Sequence, residues 1–139
     1  MSASTSLKAA TTLGGALLLA LGLSVQTASA GIPTVRWDAT DTVADVVGAH
    51  AWGATGPGPV GDTYTVTVNI KDTKADSHGA RVNIRAASAD GSVTLVSVSA
   101  SGEGVTAADS FTLWGPVTVQ ECLTEQGVDY VCGEPYRIV

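Results

Sequence analysis

The sequence predicts an all-β fold, an antiparallel β-sandwich of about seven or eight short strands. Three observations lead there. Apolar and polar residues alternate with a period of two in run after run, as expected for strands with one buried and one wet face. Turn residues break these runs every eight to twelve positions. After Gly53 no stretch carries an amphipathic helical pattern of useful length.

Residues 1–30 stand outside this pattern. "MSASTSLKAATTLGGALLLALGLSVQTASA" has one cation, Lys8, then an apolar run through Leu23, then the small-residue site Ala28-Ser29-Ala30. That order is the signature of a secretory signal peptide, with cleavage expected after Ala30. The apolar stretch is shorter than the roughly 20 residues that span a bilayer. No Arg-Arg pair precedes it, which argues for the general secretory route over the twin-arginine one. The expected mature chain is one domain, residues 31–139, secreted and without a membrane span.

Within that domain the clearest strand is "TYTVTVNIKD". Tyr64, Val66, Val68 and Ile70 alternate with Thr65, Thr67, Asn69 and Lys71. "ARVNIRA" repeats the pattern, with Val82, Ile84 and Ala86 against Arg81, Asn83 and Arg85. The polar "DTKADSHG" between them predicts a turn. "SVTLVSVSAS" is less regular, and predicts a bulge near Leu95 or cover on both faces. "SFTLW" supplies Phe111 and Leu113, and Gly115-Pro116 ends it. "VTVQECL", "VDYVC" and "YRIV" follow, broken by Gly127 and by Gly133-Glu134-Pro135.

Residues 41–52 fit two patterns. Val43, Val46, Val47 and His50 have helical spacing with Asp41 placed to cap. Three valines, a threonine and Gly48 favour a strand instead, and a strand is expected. "GATGPGPVGD", residues 53–62, predicts a long flexible connection. The expected core is Trp37, Tyr64, Val66, Val68, Ile70, Val82, Ile84, Val98, Phe111, Leu113, Val117 and Val119. Together these elements point to an immunoglobulin-like or related arrangement of two sheets.

Cys122 and Cys132 are the only cysteines. Outside the cytoplasm thiol pairs stay oxidised, and a structural zinc site needs four ligands at close spacing. A disulfide is therefore expected. Counting inward from both cysteines sets Thr124 opposite Tyr130, with Gly127 at the hairpin turn. The phase of Val117, Val119 and Leu123 also points Glu121 inward and Cys122 outward. Either a bulge near Glu121 corrects this, or the disulfide lies on the outer face.

The chain carries a net charge of −6, and −7 once Lys8 is removed. Phosphate recognition depends on clustered Lys and Arg, so nucleic acid is an unfavourable partner. Catalysis lacks a motif. His50 and His78 are the only histidines, and no G-x-S-x-G elbow occurs. Asp72, Asp76 and Ser77 lack calcium-loop spacing, and Asp38 and Asp41 are no more than two neighbouring acids. No catalytic residue, metal or cofactor is expected.

The expected function is a small secreted, non-catalytic module that binds an extracellular protein or glycan. Its candidate surface comprises Leu123, Tyr130 and Tyr136 around the hairpin, with Trp52 and Trp114 as further aromatic candidates. One alternative is an inhibitor of an extracellular hydrolase acting through the pinned hairpin 122–132. A second is a small secreted hydrolase.

Overall fold

The computed structural model describes residues 33–139. The expected signal peptide and its expected cleavage site at Ala28 and Ala30 lie outside the described residues. Nine strands run in the order β1 (Val35–Asp38), β2 (Ala49–Pro57), β3 (Thr63–Asp72), β4 (Gly79–Ala87), β5 (Val93–Ser101), β6 (Thr106–Trp114), β7 (Val117–Glu125), β8 (Val128–Cys132) and β9 (Tyr136–Arg137). They form two antiparallel sheets. The first has the order β1-β2-β3-β6; the second has β5-β4-β7-β8, with β9 also paired to β7. The described residues contain no helix long and apolar enough to cross a membrane.

The two-residue alternation decides which side chains meet between the sheets. Val66, Val68 and Ile70 of β3 face Val82, Ile84, Val117 and Val119 of the second sheet, and all seven are buried. Trp37, Val98 and Leu113 join them, while Tyr64 and Phe111 pack at the margin, partly buried. The irregular phase of β5 needs no bulge. Its pairing with β4 runs unbroken from Val93 to Ser101. Val93 and Leu95 are simply exposed.

Residues 39–48 correct the expectation for 41–52. They are neither strand nor helix but a turn-rich loop, and only Ala49 onward enters β2. The valines that suggested a regular element mislead, because Val43 and Val47 are exposed while Ala39 and Ala44 are fully buried. Small side chains let the loop lie close against the second sheet. Its second correction follows: residues 53–57 belong to β2, so the expected flexible connection shrinks to the turn between Gly58 and Asp62.

Glu121 fastens that loop. The β4–β7 ladder is continuous through the Val82–Glu121 pair, so no bulge turns the side chain away. Its carboxylate is 1% exposed and accepts hydrogen bonds from the backbone amides of Val46, at 2.9 Å, and Ala51. Backbone bonds reinforce the join: Glu121 N donates to Ala44 O, and Glu134 N to Val43 O. Gly133 N donates to Glu121 O in turn. At Gly133 a side chain would overlap the Ala44 carbonyl, so this crossing requires glycine.

Burial pushes the Glu121 carboxyl above its ordinary value near 4.5, and the two amide bonds only partly offset it. The folded state therefore holds this proton more tightly than the unfolded chain. The resulting stabilisation is complete below 4.5 and is lost as pH rises through the raised value. Two outcomes follow for urea denaturation. Glu121→Ala leaves both amides unpaired and costs about 2–4 kcal/mol. Glu121→Gln lacks the titrating proton, so wild type gains stability over it as pH falls from about 7 towards the ordinary Glu range.

Candidate functional site: the cross-linked hairpin

The hairpin of β7 and β8 turns at Gln126-Gly127. Glu125 pairs with Val128, and both turn residues have positive φ, 51° and 80°. That is the two-residue turn whose twist suits a hairpin, and Gly127 adopts it without a side-chain penalty.

Cys122 and Cys132 lie directly opposite one another, with Cα atoms 4.1 Å apart, and are joined. Because Glu121 points inward, Cys122 points to the outer face of the second sheet. It is nonetheless buried there, while Cys132 is exposed. Asp129 lies beside both sulfurs. Bonded sulfurs offer no thiolate, so this trio is not a metal centre.

Beyond the disulfide the pairing shifts. Leu123 still faces Val131, but Thr124 faces Asp129. The expected Thr124–Tyr130 pair is therefore replaced by a bulge, in which Tyr130 is the extra residue. Bulges redirect side chains, and Tyr130 stacks on His78 with ring centroids 5.1 Å apart and planes 24° apart. His78 also lies 3.4 Å from the Asp76 carboxylate. The backbone amide of His78, with the nearby imidazole and Lys74, holds the Asp76 carboxyl below the usual carboxylate range.

Asp129 is the second fastening. One carboxylate oxygen accepts from Arg81 Nη1 at 2.8 Å and the other from Asn83 Nδ2 at 2.8 Å. Arg81 also donates to Gly127 O at 2.8 Å and to Ser99 Oγ at 2.9 Å. Alternation on β4 puts Arg81 and Asn83 on the outer face, directly beneath the hairpin. The tip is thus held by a covalent bond at its base and charge-assisted hydrogen bonds along its side.

What the fastened strand presents is apolar. Val128 is 68% exposed, Tyr130 64% and Val131 46%. The five surface candidates do not share this place. Leu123 is buried in the core, and Tyr136 is half-buried on β9. Trp52 lies on the outer face of the first sheet against His50, with centroids 4.6 Å apart. Trp114 is exposed at the end of β6. Val128 and Asp129 fall within the expected hairpin surface Leu123–Val131 without having been singled out, and Arg81 and Asn83 beneath it were not anticipated. The signal for the last three was the alternating Arg and Asn of "ARVNIRA" and the single acid in "VDYVC".

Of the two histidines, His50 bonds the Asp38 carboxylate through Nε2 at 3.2 Å. Burial alone would raise the Asp38 carboxyl, but hydrogen bonds from Thr40 and His50 outweigh it and leave it lowered. Asp72, once grouped with Asp76 and Ser77, is buried. It accepts from Lys74 N and Gly102 N, tying two turns together.

Two changes test the fastening separately. Replacing both cysteines by serine frees the short loop they close and lowers stability by about 2–3 kcal/mol in chemical denaturation. Asp129→Ala keeps the disulfide but removes both side bonds. Amide exchange at Val128–Val131 then rises, and global stability falls by only about 1–2 kcal/mol.

No known protein family matches the chain, and neither curated proteins nor solved structures show a match to it.

Proposed function

We propose that this chain is a small secreted, non-catalytic binding module of immunoglobulin-like architecture, and that its hairpin meets an extracellular protein partner. The observation that carries this reading is the cross-linked tip, where Val128, Tyr130 and Val131 stand exposed on a backbone fixed from two sides. Apolar side chains held in place lose little further freedom on contact, so their burial converts efficiently into affinity. Exposed aromatic and aliphatic anchors of this kind are typical of interface hot spots.

The strand order supports the immunoglobulin-like part. With β1 set aside, β2, β3 and β6 form one sheet and β5, β4, β7 and β8 the other. The chain changes sheet at β3–β4, β5–β6 and β6–β7, as Greek-key sandwiches do. Secretion is supported by the sequence of residues 1–30 and by an oxidised cysteine pair. The non-catalytic reading rests on the sequence, in which neither His50 nor His78 stands in a recognisable catalytic motif.

The rigid, cross-linked tip also favours a second reading, insertion into the cleft of a secreted hydrolase. One experiment addresses both. The mature domain is titrated against purified secreted proteins, including proteases and amylases, alongside a Val128→Ser, Tyr130→Ser double variant. A protein partner whose affinity drops at least about tenfold with the variant, a loss of about 1.4 kcal/mol, bears out the hairpin reading. Inhibition that vanishes on reduction assigns the inhibitor role. Binding that is unchanged by the variant refutes both.

A further inference from the structure

A different surface carries a second site. The outer face of the first sheet holds a shallow groove of about 700 Å³, within the range of small-ligand sites. We propose that this groove binds a neutral saccharide, with the sugar ring stacked on Trp52.

The register builds the site. Trp52 has Asp38 as its direct partner on β1 and Asn69 on β3, so these three form a row across the face. Two residues along, Arg36, Ala54 and Thr67 form the next row. Cross-strand neighbours lie about 5 Å apart and rows roughly 7 Å apart. An indole thus stands among an amide, a carboxylate, a guanidinium and a hydroxyl. Ala54 offers only a methyl, so it does not screen the indole on that side.

These groups are positioned in advance. His50 packs against Trp52 at 32° and binds Asp38, fixing both. Asn69 Nδ2 donates to Trp52 O at 3.3 Å, which orients the amide and leaves Oδ1 as an acceptor. Arg36 has no acceptor among the described residues and brings five N–H donors.

The chemistry selects the ligand class. A sugar ring presents an apolar C–H face for an aromatic ring and a rim of hydroxyls that both donate and accept. Arg36 and Asp38 balance in charge, which favours a neutral ligand over an anionic one. The hairpin reading is independent of this groove, since Tyr130 lies on the other sheet.

The test uses tryptophan fluorescence of the mature domain, titrated with hexasaccharides of cellulose, xylan, chitin and starch. Pull-down on the insoluble polymers accompanies it. A saturable response to at least one of them is expected. Trp52→Ala should abolish it, and Arg36→Ala and Asn69→Ala should each weaken binding about tenfold. Arg36 lies at the exposed end of β1, so its variant separates binding from folding, with circular dichroism as the check. Tyr130→Ser should leave the response unchanged. Failure to bind any of the four, or binding that survives Trp52→Ala and Arg36→Ala, overturns the proposal.

Discussion

Strand β7 does two jobs on two faces, and the strict alternation of its side chains joins them. Glu121 must point inward because Val117 and Val119 do, and Cys122 must then point outward. The inward carboxylate holds the loop 39–48, through the Val46 amide, and the start of β2, through the Ala51 amide, against the second sheet. The outward cysteine anchors the hairpin on the opposite face. A shift of one residue in the β4–β7 register would expose the valines, turn Cys122 to the inner face and release the loop together.

A buried carboxylate is an expensive fastening. An apolar side chain at 121 would avoid the desolvation cost, and buried ionic groups are weak evidence for stability on their own. The benefit lies in what it satisfies. The loop has no strand ladder to take up the Val46 amide, and Ala51 N meets the carboxylate at the start of β2. Backbone donors left unpaired in that position would cost as much as the acid does. The pairing also specifies a single path for the chain between Asp38 and Ala49, where few large side chains are buried to specify one.

Much of the fold was legible in the sequence because β3, β4 and the first half of β7 carry nearly perfect two-residue alternation. The cysteine pair and Gly127 were legible for the same reason, since a hairpin with opposed partners follows from counting. The loop 39–48 was not. Its burial rests on Ala39 and Ala44, whose small side chains carry little periodic signal, while the conspicuous Val43 and Val47 face solvent. The bulge at Leu123–Thr124 was equally hidden, because one inserted residue leaves composition unchanged. The same bulge decides where Tyr130 points. Asp129, an ordinary surface acid by sequence, becomes a fastening only when the hairpin is placed over Arg81 and Asn83.

The surfaces left open by this arrangement differ in character. The hairpin offers aliphatic and aromatic groups on a fixed backbone, while the first sheet offers one indole among hydrogen-bonding groups. Both depend on strands held in register, and β7 sets that register for the second sheet. Amide hydrogen exchange at Val46 tests the role of Glu121 without ambiguity, because this loop amide has the carboxylate as its partner. Slow exchange in the native protein, becoming fast in Glu121→Ala while the β3 and β4 amides stay protected, is the expected result. Fast exchange at Val46 in the unaltered protein would contradict an inward-facing, loop-binding Glu121, and with it the outward placement of the disulfide.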